Sequence, residues 1–470
     1  MFWDREQELA YLEKQYVKAG SNMVIIYGRR RVGKTTTIAR FSADKPCILF
    51  LADRAMETML MQRMLSAIAR FLDDDLLAQA TPPSWDWVFG QLTSRANFEQ
   101  NKIVLVIDEF QALAQVNDAF PSILQRLWDK ELKSRNIMII LCGSLVGMMY
   151  QTTLAYESPL YGRRTGQIRM RPLTFSALRE AFPEKPFNES VELYAVSGGV
   201  PVYIEALTEG PLLEQITDCV LDPMGRLYDE PRFVLSGEIS ETSTFFSILQ
   251  VIAAGQRRQS QIAGKLGLST SYLSSYIRML LDLEVLEKRI PITANPQRSR
   301  RSLYYIGDHF FDFWFRYVYP YQGELESGRP AISRADIQET FDQYVSRTFE
   351  DCVRNWLEHL EAQGKFPFEL HKIGSWWNKH TEIDILGLNN ITHDVLFGEC
   401  KWSQMPVGLD VLKGLYNKAN QVRWHKRDRH EWFLIASKSG FHESLIERAK
   451  RPGIDGRHDV LLLHNGELVP

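Results

Sequence analysis

Apolar and polar positions follow two different periods along this chain. Unbroken apolar runs at Met23–Tyr27, Cys47–Leu51, Ile103–Ile107 and Ile137–Leu141 predict strands buried on both faces, and a further short strand is expected near Gln167–Met170. Between them the apolar residues fall three and four apart, which predicts helices. One spans the N-terminal segment through Leu9 and Leu12, with Asp4 as its expected N-cap, and a longer one runs from about Met56 to Leu77. Thr81-Pro82-Pro83-Ser84 breaks the pattern after that. Strands and helices in alternation predict a parallel sheet covered on both faces, with ligand at the C-terminal ends of the strands. From Pro172 to about Ser236 the period is helical, interrupted at Ser197–Tyr203, where Gly198 and Gly199 make a bend and Pro201 suits the first turn of a helix.

The middle of the chain predicts three more helices, Phe245–Ala254, Gln259–Gly267 and one carrying Leu273, Ile277, Leu280 and Leu281 on a single face. Ser269 or Thr270 is the expected cap of the third, and Ser271, Tyr272, Ser274, Ser275 and Arg278 stay on its outer side. Two strands are expected around Thr293–Ser302, with Arg298, Arg300 and Arg301 at the tip. Short helix, tight turn, polar-faced helix and basic hairpin resemble the winged-helix group of helix-turn-helix domains, which implies contact with DNA or protein. The aromatic stripe from Asp308 to Tyr319 reads as a packing helix, and Gln322–Pro330 as a linker. Further on, a helix is expected over Phe341–Leu360. Period-two strands follow at Glu382–Leu386 and Val395–Lys401, then a helix over Val407–Trp424 and a strand over Glu431–Ala436.

These patterns give an α/β multidomain chain. The expected boundaries are an α/β core at 1–172, a helical lid at 173–238, a winged-helix domain at 239–320, a linker at 321–338 and a second α/β domain at 339–470. A length of 470 residues supports about three domains. Net charge is -3, so any nucleic-acid surface has to be local. The five cysteines are widely spaced with no C-x-x-C pair, which argues against a zinc ribbon or disulfide framework and for reduced thiols in a cytosol. No basic-then-apolar leader and no long apolar run are present, so a cytoplasmic location away from the membrane is expected.

The chemistry begins where the first strand ends. Gly28-Arg29-Arg30-Arg31-Val32-Gly33-Lys34-Thr35 fits G-x-x-x-x-G-K-[ST], with a strand before it and a helix after. Glycines let consecutive N–H groups point at phosphate oxygens, Lys34 supplies charge to the β/γ-phosphates, and Thr35 offers its hydroxyl to Mg²⁺. Thr36 completes the nucleotide-binding set. The apolar run ending in Asp108-Glu109 supplies the other half of such a site. Asp108 would hold Mg²⁺ through its water shell, and Glu109 would polarise the attacking water. Ser144, just past the fourth strand, is placed to touch the γ-phosphate, and Arg163 to neutralise transition-state charge in the same subunit or across an oligomer interface. Together with Tyr161-Gly162-Arg163 and Gly198-Gly199-Val200-Pro201, these motifs resemble the archaeal-type ATPase family, close to the AAA-type and signal-transduction ATPases, over roughly the first half of the chain. The resemblance implies ATP and Mg²⁺ as cofactors, slow hydrolysis and a nucleotide switch.

A second set sits near the C-terminus. If the hairpin folds symmetrically about its loop, Asp384 lies across from Glu399 and Glu382 across from Lys401. Two carboxylates and a lysine on one patch suit Mg²⁺ or Mn²⁺ and phosphodiester chemistry. The pattern is similar to the PD-(D/E)XK nuclease superfamily, with Asp384 and Glu399-x-Lys401 as its core and Glu350 as the helical acidic residue, although Ile383 replaces the proline. Lys413, Lys418, Arg423 and the run His425–His430, with Trp376, Trp377 and Lys379, offer a nucleic-acid grip. The expectation is an ATPase coupling nucleotide state to a DNA-directed, metal-dependent nuclease-like domain. The alternative is a nucleotide-gated DNA- or protein-binding switch whose C-terminal domain is catalytically silent.

Overall fold

The computed structural model describes residues 2–99, 101–236, 242–296, 298–299, 301–451 and 458–469. It divides into two compact units, residues 1–172 and residues 173–470.

Unit 1 is built on five strands, β1 (Asn22–Tyr27), β2 (Cys47–Leu51), β3 (Ile103–Asp108), β4 (Ile137–Gly143) and β5 (Gly166–Arg169). All pair in parallel, in the order β2-β3-β4-β1-β5. The central strands are apolar throughout because both faces are covered. One face packs Met23, Ile25, Leu105 and Ile139 against the helices between Glu57 and Lys130. The other packs Val24, Ile26, Val106 and Ile140 against Leu12, Ile38 and Phe41. This is the P-loop nucleotide-triphosphatase fold, and it sets β1, β3 and β4 side by side with their C-terminal ends together. Asp4 does not cap the first helix: Glu6–Tyr16 starts from Arg5, which holds a left-handed backbone at φ 87° with no capping side chain. The long helix ends at Leu72, where Asp73 turns left-handed at φ 56°, and a separate short helix covers Asp75–Ala78.

Unit 2 opens with helices packed on one another. Gly199 bends the chain at φ 73°, and a Cβ there would run into the Leu173 carbonyl oxygen. Pro201 then starts the helix Pro201–Leu207. Three further helices, Thr242–Ala253, Gln259–Leu266 and Thr270–Asp282, precede an antiparallel pair, β6 (Leu286–Arg289) and β7 (Leu303–Ile306). Ser269 caps the third helix, accepting from Tyr272 N at 3.2 Å. The two strands lie outside the expected 293–302 span, since Pro291 and the following turns cannot extend a ladder. Of the expected basic tip, Arg298 is exposed, Arg301 is described below, and Arg300 falls outside the described residues.

The aromatic stripe forms the helix His309–Tyr317, and its six rings are fully buried. The expected linker is helical in two places. Gln322–Glu326 is one short helix, and a 32-residue helix, Ala331–Ala362, starts before residue 339. Ile337 and Ser333 are buried there, so the segment is held by packing rather than left as a spacer.

The C-terminal part adds a mixed sheet in the order β13-β12-β11-β10-β9-β8. Its strands are β8 (Lys372–Trp377), β9 (Glu382–Leu388), β10 (Asp394–Lys401), β11 (His430–Ser437), β12 (His458–His464) and β13 (Glu467–Val469). β8, β9 and β10 are antiparallel, and β10, β11 and β12 run parallel. The helix before β11 is shorter than the sequence predicts, Leu409–Ala419. Among the described residues no helix is long and apolar enough to cross a membrane.

Candidate functional site: nucleotide loop and carboxylate–lysine cluster

In unit 1 the loop after β1 folds as an amide-lined turn. Gly28 (φ 153°) and Gly33 (φ 96°) adopt angles that favour glycine, and Arg31 is left-handed at φ 68°. Any Cβ at Gly28 would strike the Met170 carbonyl oxygen beyond β5. Lys34 is buried, and its Nζ donates to the carbonyls of Gly28 and Arg29, each at 2.8 Å. Burial lowers its pKa, against the pull of Glu109 and Asp108. Arg30, Arg31, Thr35 and Thr36 are exposed, while Val32 is fully buried.

Thr35 Oγ1 donates to Asp108 Oδ2 at 3.0 Å, so the loop and the β3 terminus meet directly. Two hard oxygens at one point, beside a lysine, suit Mg²⁺. Glu109 turns left-handed at φ 53°, and its N–H donates to Asp108 Oδ1 at 2.9 Å. Ser144 Oγ donates to Glu109 Oε2 at 2.8 Å, and Gln111 Nε2 donates to the same oxygen. Ser144 therefore touches the acidic residue, a contact that adjacent strands β3 and β4 make natural. Gln111 Oε1 is buried and has no hydrogen-bond partner among the described residues. Arg163 is held elsewhere in this unit, with Nη2 on Asp129 Oδ2 at 2.9 Å and Nη1 on the Pro159 and Tyr161 carbonyls.

Sequence reasoning missed Arg5. Its side chain is buried, and its Nη2 donates to Val32 O at 3.0 Å and to Arg171 O at 2.7 Å. It ties the phosphate loop to the chain after β5. The signal was an arginine in an otherwise amphipathic leader, and only the tertiary approach of residues 32 and 171 gives it meaning.

In unit 2 the β9–β10 register pairs Gly398 with Ile385, so one further step sets Asp384 opposite Glu399. Cys400 N donates to Asp384 Oδ2 at 2.8 Å. Glu399 is buried and doubly paired, with Lys401 Nζ at 2.8 Å and Lys418 Nζ at 2.7 Å. Lys418, expected as part of a nucleic-acid grip, thus belongs to this cluster. Burial and the Glu399 charge raise Asp384 to about 6. Burial and Asp384 raise Glu350, on the long helix, to about 8. Beside it Asp351 is clamped by Arg289 of β6 at 2.9 Å and by Arg354, whose Nη1 donates to the Asp384 carbonyl at 2.7 Å. Burial opposes ionisation of Asp351, but the two guanidinium groups outweigh it and hold the carboxyl below its usual range. Among the described residues no group of three or more His, Cys, Asp or Glu side chains is arranged to hold a metal ion. Two ammonium groups already engage Glu399, so the set does not fit a three-carboxylate metal centre. Arg429, from the basic run, is buried on the carbonyls of Ala419, Val422 and Trp424 and pairs with Glu431.

Comparison with known proteins agrees with this geometry. A family model described as an ATPase domain predominantly from Archaea matches residues 2–207. A second, described as archaeal and bacterial proteins of unknown function, matches residues 314–414. An uncharacterised protein of Methanocaldococcus jannaschii is 33% identical over 441 residues, 93% of this chain and 96% of its own length. An uncharacterised ATP-binding protein of the same organism is 47% identical over 45 residues, 10% of this chain and 76% of its own. A Walker-type ATPase of Pyrococcus abyssi shares the fold, with a TM-score of 0.51 at 22% identity over 67% of this chain and 96% of that one.

Proposed function

The chain belongs to the archaeal ATPase family, and we propose that it binds and hydrolyses ATP to drive a DNA-directed C-terminal half. The observation that carries the first part is the convergence of Lys34, Thr35, Asp108, Glu109 and Ser144 at the ends of three adjacent strands. Backbone amides of residues 29–34 would bind phosphate oxygens, and Lys34 would leave the loop carbonyls to neutralise the β/γ-phosphates. Thr35 and Asp108 would hold Mg²⁺, which would supply charge neutralisation to the bound phosphates. Glu109 would orient and polarise the attacking water, and Ser144 would hold Glu109 until the γ-phosphate competes for it. Thr36 would contribute to nucleotide binding. Arg163 would act on the nucleotide only after release from Asp129.

The second part rests on the C-terminal half. The order of three helices and the β6–β7 hairpin supports a winged-helix reading, and the helix–hairpin–strand–helix–strand order from Ala331 to Ser437 supports a nuclease-like PD-(D/E)XK reading. Glu350, Asp384, Glu399 and Lys401 would form its site. A binding-only reading is favoured by one observation, the neutralisation of Glu399 by two lysines. No cleavage step is therefore routed through a metal. A matrix of nuclease assays over ATP, ADP or no nucleotide and Mg²⁺, Mn²⁺ or chelator, on wild type, Lys34→Ala, Asp384→Ala and Lys401→Ala, decides between them. Cutting that Lys401→Ala abolishes while ATP turnover persists supports the nuclease. DNA binding with no cutting in any cell of the matrix supports the switch. Absence of ATP turnover in wild type would refute the first part.

A further inference from the structure

We propose that a basic groove within unit 2, between the β6–β7 hairpin and the turn joining β8 to β9, holds the phosphodiester backbone of a nucleic-acid strand and leads it toward the carboxylate–lysine cluster. This rests on the DNA-directed reading above and names the surface it requires.

The groove encloses about 530 Å³ and is lined by Arg258, Lys288, Arg301 and Lys379, with Ser260 and Asn378 among its neutral donors. No carboxylate is among the described residues that line it. Arg258, Lys288 and Lys379 are exposed, and none forms an ion pair among the described residues. Elsewhere the half-exposed arginines Arg63, Arg95, Arg126 and Arg226 each have an acidic partner. Four like charges gathered in one concavity repel one another, and a polyanion relieves that repulsion while releasing its own counterions. Four cations exceed the charge of a single phosphate, which favours a chain of phosphates.

The groove is a built feature. Ile292 N, in the hairpin loop, donates to Ser375 O of β8 at 3.0 Å. Arg301 Nη1 donates to Trp377 O at 3.0 Å. Ile292 also packs against the core of the C-terminal sheet, with its side chain over Gly374. Both walls are thus fastened through main-chain carbonyls of one strand. The direction follows from register: Trp377 pairs with Glu382, and Asp384 lies on the same strand face, about 7 Å further at the usual rise per residue.

The test uses the full chain and fluorescence anisotropy with a labelled DNA duplex and its component single strand, across a salt series. Wild type is expected to bind. Lys288→Glu/Lys379→Glu should weaken binding at low salt at least ~10-fold, and the slope of log affinity against log salt should shrink by about 1.5 to 2, as two phosphate contacts are lost. Lys288→Gln/Lys379→Gln should give a smaller loss in the same direction. ATP affinity and thermal midpoint should stay at wild-type values, and Lys14→Glu/Lys130→Glu, exposed lysines of unit 1, should bind within ~2-fold of wild type. Unchanged affinity and slope in both Lys288/Lys379 variants would overturn the groove and leave the DNA-directed reading standing. Equal affinity for polyglutamate and DNA would overturn the nucleic-acid assignment. No binding of DNA by wild type in any nucleotide state would overturn both.

Discussion

Replacing Arg5 by methionine keeps an aliphatic stem and removes the guanidinium that joins the phosphate loop to the chain after β5. The variant loses bonds to Val32 O, Arg171 O and Glu8. Val32 is fully buried, so its carbonyl is left without a partner, at a cost of ~1–3 kcal/mol. Arg171 is exposed, so water can replace the second bond at little cost. The Glu8 pair is partly buried and contributes at most ~1 kcal/mol. The net loss is then about 1–4 kcal/mol, which lowers the midpoint of a domain this size by roughly 2–16 °C. Because Val32 lies between Arg31 and Gly33, the loop amides lose their fixed aim. We expect ATP to bind at least ~10-fold more weakly, a change of about 1.4 kcal/mol. Arg5→Lys, whose single ammonium cannot span both carbonyls, should fall between the two. Thermal unfolding with and without ATP, and calorimetric titration of ATP, measure both quantities. A midpoint within 1 °C of wild type and an unchanged ATP affinity, read as roughly equal by the same criteria, would refute the account of Arg5 as a loop tie.

Glu109→Gln should retain ATP binding and lose at least ~100-fold in turnover, as expected for removal of a general base, measured by phosphate release and titration. Lys34→Ala should abolish binding itself, and retention of wild-type affinity would contradict the loop geometry. Asp351→Asn leaves Arg289 and Arg354 facing each other without their shared anion, and should destabilise unit 2 by ~3–5 kcal/mol in denaturant melts. Glu350 has its folded pKa raised from 4.5 to about 8, so the folded state binds its proton more tightly than the unfolded chain. Stability should therefore fall as pH rises through that interval, and Glu350→Gln should flatten the fall; melts in chelator from acid to mild alkali measure it.

The sheet of unit 1 was legible because its central strands β1, β3 and β4 are nearly continuous apolar runs, and β1 and β3 run straight into the Gly28–Thr35 loop and Asp108-Glu109. Asp108 and Thr35 meet as the motif spacing demands. The β9–β10 register was legible too, since alternation fixes which residues can face one another. Less accessible were residues whose role depends on a distant partner. Arg5, Arg354 and Arg289 look like surface charge in sequence, yet Arg5 is buried, Arg354 and Arg289 are half-buried, and all three are held in hydrogen-bonded networks. Lys418 and Arg429 sit in basic stretches but serve Glu399 and three main-chain carbonyls at and just after the end of the Leu409–Ala419 helix. The supposed linker misled for a related reason: glycine and proline at 328 and 330 announced a break, and the helix simply starts on the far side of it.

That 32-residue helix, about 48 Å long, begins in the expected linker and carries Glu350 and Asp351 in the domain after it. Any gene fragment cut at residue 339 would sever it within its third turn and strip Ile337 of its neighbours. The acidic cluster is therefore not a portable cassette. Recombination, or a cloning strategy, that wants it intact must carry the upstream quarter of the helix along with it.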